Sequence, residues 1–179
     1  MIVRLIQGIE ALSVFIGWIG AWVMAPLIAS MVYEVLARHL FNAPTFWAYE
    51  IGYMLAGTCY LFGMAYCMKQ KGHVRVDVLY DQVGPKWRAI IDILGYTFLL
   101  LPGALWITWG LYEFAVEAYE SGEVSGESAW NPVVWPFRTV WVIAFVALVL
   151  QTIAEILKSF RVLLGYAEEE FVEHHGSEV

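Results

Sequence analysis

Four long apolar runs decide what this chain can fold into. They cover 11–33, 51–68, 93–112 and 133–154, and the first three contain no charged residue. About 20 apolar residues cross the roughly 30 Å hydrocarbon layer of a bilayer as a helix, because each rises about 1.5 Å and pairs its backbone polar groups internally. A chain of 179 residues, 60% hydrophobic and 15% charged, has too little polar surface to bury four such runs in a water-soluble domain. The expected fold class is an all-α integral membrane protein with four transmembrane helices, at about 11–36, 48–68, 88–117 and 133–160. In the fourth run Arg138 lies near the start, where its long stem can reach the interface, and Glu155 ends the run. The first run is read as an uncleaved helix, since apolar residues continue to Tyr33 and Pro26 directly follows the small-residue pattern of Val23 and Ala25.

Four crossings place both termini and the segment between the second and third runs on one side. That side carries Arg4, Lys69, Lys71, Arg75, Lys86, Arg88, Lys158 and Arg161, while the other has Arg38 and Arg138. Short loops rich in Lys and Arg stay cytoplasmic, so both termini are expected inside a bacterial inner membrane, with 38–50 and 113–131 outside. The net charge of −7 does not oppose this, because acidic residues contribute little to the topology signal. Glu113, Glu117, Glu120, Glu123 and Glu127 are expected in the outer loop. Glu168, Glu169, Glu170, Glu173 and Glu178 make 166–179 an acidic, solvated tail after a single transmembrane domain at 1–165.

Between the second and third runs, Val76, Leu79, Tyr80, Val83 and Trp87 recur at helical spacing, with Asp77, Asp81 and Arg88 on another face. This describes a short cytoplasmic interfacial amphipathic helix at about 74–84, with Val76, Leu79, Val83 and Trp87 against the lipid bilayer. Gly84 and Pro85 end it.

Residues that carry chemistry are sparse. His39 and His73 fall at helix ends on opposite sides, and His174 and His175 lie in the tail, so no ligand set converges at membrane depth. Cys59 and Cys67 are about 12 Å apart along one helix, beyond disulfide reach. No phosphate loop, nucleophile elbow or interior carboxylate pair appears, so no catalytic, cofactor, metal or nucleic-acid role is expected. Glu34, Glu50, Asp92, Arg138 and Glu155 fall near helix ends and are expected to be interfacial charges in contact with water. Helix interiors without ionisable groups argue against a substrate path through this chain alone. Pro26 and Pro102 mark possible kinks. Gly52, Ala56 and Gly63, and Gly95, Gly103, Ala104 and Gly110, offer small-residue faces for close helix approach.

The stretch RHLFNAPTFWAYE, 38–50, is followed in the second run by FGMAY, 62–66, and then by GHVRVD, 72–77. This series resembles the small membrane subunit of tripartite ATP-independent periplasmic (TRAP) transporters, the DctQ-type family. Arg38, Asn42, Pro44, Trp47 and Glu50 match the family's pattern after its first helix, and His73, Val76 and Asp77 match its His-x-x-Val-Asp signature. The resemblance covers nearly the whole chain up to the tail, and the segment 119–139 is longer than in compact family members.

The resemblance implies a sodium-coupled secondary transporter for an organic acid. In it a periplasmic substrate-binding protein delivers substrate to a large membrane (DctM-type) subunit, which holds the transport sites. The chain would brace that subunit and help dock the binding protein, with Arg38, Asn42, Pro44, Trp47, Glu50, His73, Val76 and Asp77 as docking or assembly candidates. The residues read alone fit a turn fixed by Pro44 and Asn42, an interfacial anchor at Trp47, and an ion pair between Arg38 and Glu50 across a helical hairpin. A membrane-anchor subunit of a redox complex and a stand-alone tetraspan scaffold are the alternatives.

Overall fold

The computed structural model describes residues 2–70 and 84–165, and among them the only regular structure is helical apart from one isolated β-bridge. The helices are α1 (Ile2–Leu40), α2 (Ala48–Lys69), α3 (Pro85–Gly95), α4 (Leu101–Ser121) and α5 (Trp135–Leu163). A π-helical segment, Tyr96–Leu100, joins α3 to α4, so the two form one continuous third span. Four helices are thus long and apolar enough to cross a membrane. The interfacial helix expected at 74–84, with Val76, Leu79 and Val83, lies outside the described residues, as do His73, Asp77 and the tail 166–179. Trp87, assigned by periodicity to that helix, sits exposed in the first turn of α3, where Pro85 is pre-set for a helix start.

The wide turn at Tyr96–Leu100 has a local cause. Pro102 has no N–H to give, and Leu101 N–H reaches back five residues to Tyr96 O instead of four. Pro26 lies within α1, which continues on both sides of it as a single helix.

α5 is the centre of the bundle, packed against α1, α2 and the third span. The core is Ile16 from α1, Phe62 and Ala65 from α2, and Ala144 and Ala147 from α5. Small residues set the spacing of α1 and α2. A Cβ added at Gly17 would lie 2.7 Å from Tyr66 Cβ, and one at Gly20 would lie 2.9 Å from Phe62 Cβ. Both are closer than atoms tolerate, so these glycines let the helices touch, the contact by which helices associate without a hydrophobic driving force. Of the expected small-residue faces, Gly52 leaves room for the end of the Met31 side chain, and Ala104 is buried. A Cβ added at Gly63, Gly95, Gly103 or Gly110 would meet nothing within 4 Å, so these glycines bring no two helices together among the described residues.

The third span is different in kind. Only 6% of its most apolar window is buried, against 44% for α5. Phe98, Leu99, Trp106 and Trp109 point outward. Among the described residues it leans chiefly on α5 and presents most of its apolar surface to whatever surrounds the bundle.

Candidate functional site

The bundle has two ends. One carries the start of α1 and the ends of α2 and α5, and the other carries the turn 41–47 and the loop 122–134, where the motif residues of the α1–α2 hairpin gather. Here α1 stops because Asn42 takes a left-handed conformation (φ 47°) and turns the chain, so that Phe41 and Ala43 both donate to Ala37 O. Asn tolerates this conformation better than other non-glycine residues. Pro44 follows on the exposed turn, and Trp47 caps α2 while stacking on Tyr33 of α1, rings 5.6 Å apart.

The expected pair between Arg38 and Glu50 does not form. Arg38 Nε and Nη2 donate to Glu34 Oε1 at 2.9 Å and 2.5 Å, one helical turn back. Glu34 Oε2 accepts from the Thr45 amide at 2.9 Å and from the Thr45 hydroxyl. Glu34 therefore ties α1 to the turn, and Arg38 holds Glu34. Helix geometry explains the outcome: an Arg four residues after a Glu lies directly over it, whereas Glu50 starts a different helix and faces inward.

Glu50 is fully buried, and neither of its carboxylate oxygens has a hydrogen-bond partner among the described residues. It lies on the packed face of α2 with Ala48 and Gly52, which are also buried. The expectation of a water-contacting charge fails here, and it fails as well for Arg138 and Glu155, both buried. Each lies near a helix end as expected, but on a face covered by a neighbouring helix or loop. The sequence shows depth along a helix more readily than which face is covered.

Arg138, in the first turn of α5, makes a fork to Glu123 at 2.7 Å and 2.5 Å, adds a 3.3 Å bond to Phe114 O, and lies 3.4 Å from the centroid of the Phe114 ring. These contacts clamp the loop onto the ends of α4 and α5. The loop begins later than the sequence suggests. Glu113, Glu117 and Glu120 lie on α4, which runs on past its apolar stretch until Gly122 ends it with a positive φ of 64°. Within the loop, a bridge pairs Val124 with Val133, and Asn131 Oδ1 accepts from Gly126 N at 2.7 Å.

Beside this clamp is an open cavity of about 470 Å³. Rings form one wall: Tyr49 to Tyr53 at 5.8 Å, Tyr53 to Phe137 at 6.0 Å, and Phe137 to Trp141 at 5.1 Å. Glu123 and Glu127 form another. The hairpin motif did not point to this cavity. An aromatic pair at Tyr49 and Tyr53 one turn apart, and a lone Arg138 at the start of an apolar run, were its sequence signals.

At the opposite end a second polar cluster joins α1 to α5. Ser13 Oγ donates to Gln151 Oε1 at 2.7 Å, Gln151 Nε2 donates to Glu155 Oε1 at 2.8 Å, and Lys158 Nζ bridges Glu155 at 2.5 Å and Glu10 at 2.8 Å. Every partner is accounted for, and the arrangement is a lock between helices. Among the described residues no three His, Cys, Asp or Glu side chains are placed to hold a metal ion.

No curated protein matches the chain. A family model described as "Tripartite ATP-independent periplasmic transporters, DctQ component" matches residues 27–162.

Proposed function

Because the chain belongs to the DctQ component family of tripartite ATP-independent periplasmic transporters, we propose that this small permease subunit braces the large membrane subunit and helps receive the periplasmic substrate-binding protein. The system it serves is a sodium-coupled secondary transporter of an organic acid in the bacterial inner membrane. Both termini face the cytoplasm, in keeping with the eight basic residues on that side. The turn 41–47 and the loop 122–134 then face the periplasm, where the binding protein arrives.

The observation that carries the bracing role is the third span. An apolar helix packed chiefly along one side among the described residues, with Trp106 and Leu99 more than four-fifths exposed, at 82% and 81%, offers a long surface to another membrane protein. Charged groups among the described residues sit toward the two ends of the bundle and are largely paired. A site for an anionic substrate needs cationic or helix-terminal donors around a cavity near the midplane. Those parts belong to the large subunit in this reading.

Affinity purification of the tagged chain from its native membrane, followed by mass spectrometry, tests the assignment. A large polytopic permease should accompany it in stoichiometric amount. Recovery of a redox subunit, or of the chain alone from a membrane that contains the permease, would overturn the reading.

A further inference from the structure

The cavity at the loop end combines π faces with carboxylates, and the two attract the same kind of ligand. Ring faces carry the negative part of the aromatic quadrupole, and Tyr49, Tyr53, Phe137 and Trp141 line one wall. Glu123 is committed to Arg138, but the Glu127 side chain makes no hydrogen bond or ion pair among the described residues. Two carboxylates line the cavity against the single guanidinium of Arg138, and Glu127 is the one left without a cation.

The chain already satisfies this chemistry once. The Arg138 guanidinium carbon sits 3.4 Å from the centroid of the Phe114 ring and the group forks to Glu123 at the edge of the same cavity. We propose that the cavity receives a second guanidinium, from an arginine on the docking face of the periplasmic binding protein. This rests on the docking role proposed above. A guanidinium suits the site because it is planar, weakly hydrated and able to stack on a ring while donating to a carboxylate, whereas a lysine ammonium is a compact and strongly hydrated charge. A soluble partner suits it because the mouth is formed by the loop residues Ser125 and Glu127 and by the exposed Tyr49, beyond the apolar stretches of the helices.

The test measures docking of the system's own substrate-loaded binding protein to the two-subunit membrane complex in nanodiscs. Glu127→Lys should weaken docking at least about tenfold and flatten its dependence on salt, because a partner charge now meets repulsion. Tyr53→Leu should weaken it by removing a stacking face. Glu127 is exposed and bonded to nothing through its side chain, so that variant should assemble and melt as the wild type does. In a scan of the binding protein's surface arginines, one Arg→Glu change should restore docking to the Glu127→Lys complex. The inference is overturned if Glu127→Lys docks normally, or if no arginine change restores it, while docking still requires the small subunit. If the binding protein docks equally well to the large subunit alone, the docking role itself falls, and this inference with it.

Discussion

Glu50 shows how far residue-level reasoning carries. Its place in the motif was visible in the sequence, and so was its position at the start of α2, but its partner was not Arg38. Burying a carboxylate without donors costs several kcal/mol if it stays charged. Removing that charge removes the cost. Glu50→Gln keeps the shape and removes the charge, so the isolated subunit should melt at the same temperature or higher in detergent. Arg38 and Glu34 make the complementary case. Glu34 holds two donors of Thr45 as well as Arg38, whereas Arg38 is largely exposed and among the described residues bonds to Glu34. Glu34→Ala should lower the melting temperature of the purified subunit more than Arg38→Ala does. An equal or reversed loss would mean that the turn is held by something other than Glu34. The Glu34–Arg38 pair could be read from the four-residue spacing alone. The buried face of Glu50 could not, because it depends on where α1 and α5 lie.

Hydropathy gave the helices well and their faces poorly. All four apolar runs are helical, yet α1 begins at Ile2 and α4 continues to Ser121, since backbone hydrogen bonding does not stop where apolar side chains do. The close contact of α1 with α2 depends on Gly17 and Gly20, which a run of apolar residues conceals, while Gly63 and Gly103 look equivalent in sequence and meet nothing. Only the pairing of particular helices separates the two sets. Gly17→Val or Gly20→Val should force α1 from α2 and lower the yield of folded subunit, measured by size-exclusion chromatography in detergent. Gly63→Val should leave that yield unchanged. Gln151 makes a parallel point at the other end, where it joins Ser13 to Glu155 inside the α1–α5 contact. Replacing it by Leu leaves both neighbours without that bond, and the subunit should lose about 1–3 kcal/mol.

At the scale of the whole chain, the stretches 38–50, 62–66 and 72–77, in that order along two apolar runs, were enough to reach the family. Which surface meets the large subunit was hidden, since every helix in such a chain is apolar and hydropathy does not distinguish lipid from protein. The bundle separates them through its asymmetry. α5 is surrounded, α1 and α2 are joined through glycines, and the third span stands apart with Trp106 and Trp109 facing outward. If that face meets the large subunit, a photoreactive residue at Trp106 should crosslink to it in high yield, and one at Trp18, exposed on α1, should crosslink mainly to lipid. Polar substitutions give an independent measure. Trp106→Asn should reduce the amount of large subunit that copurifies without changing the melting of the isolated small subunit, because Trp106 is 82% exposed within this chain. The opposite crosslinking pattern, with Trp18 reaching the large subunit and Trp106 reaching lipid, would move the bracing surface to α1 and leave the third span as the outer wall of the complex.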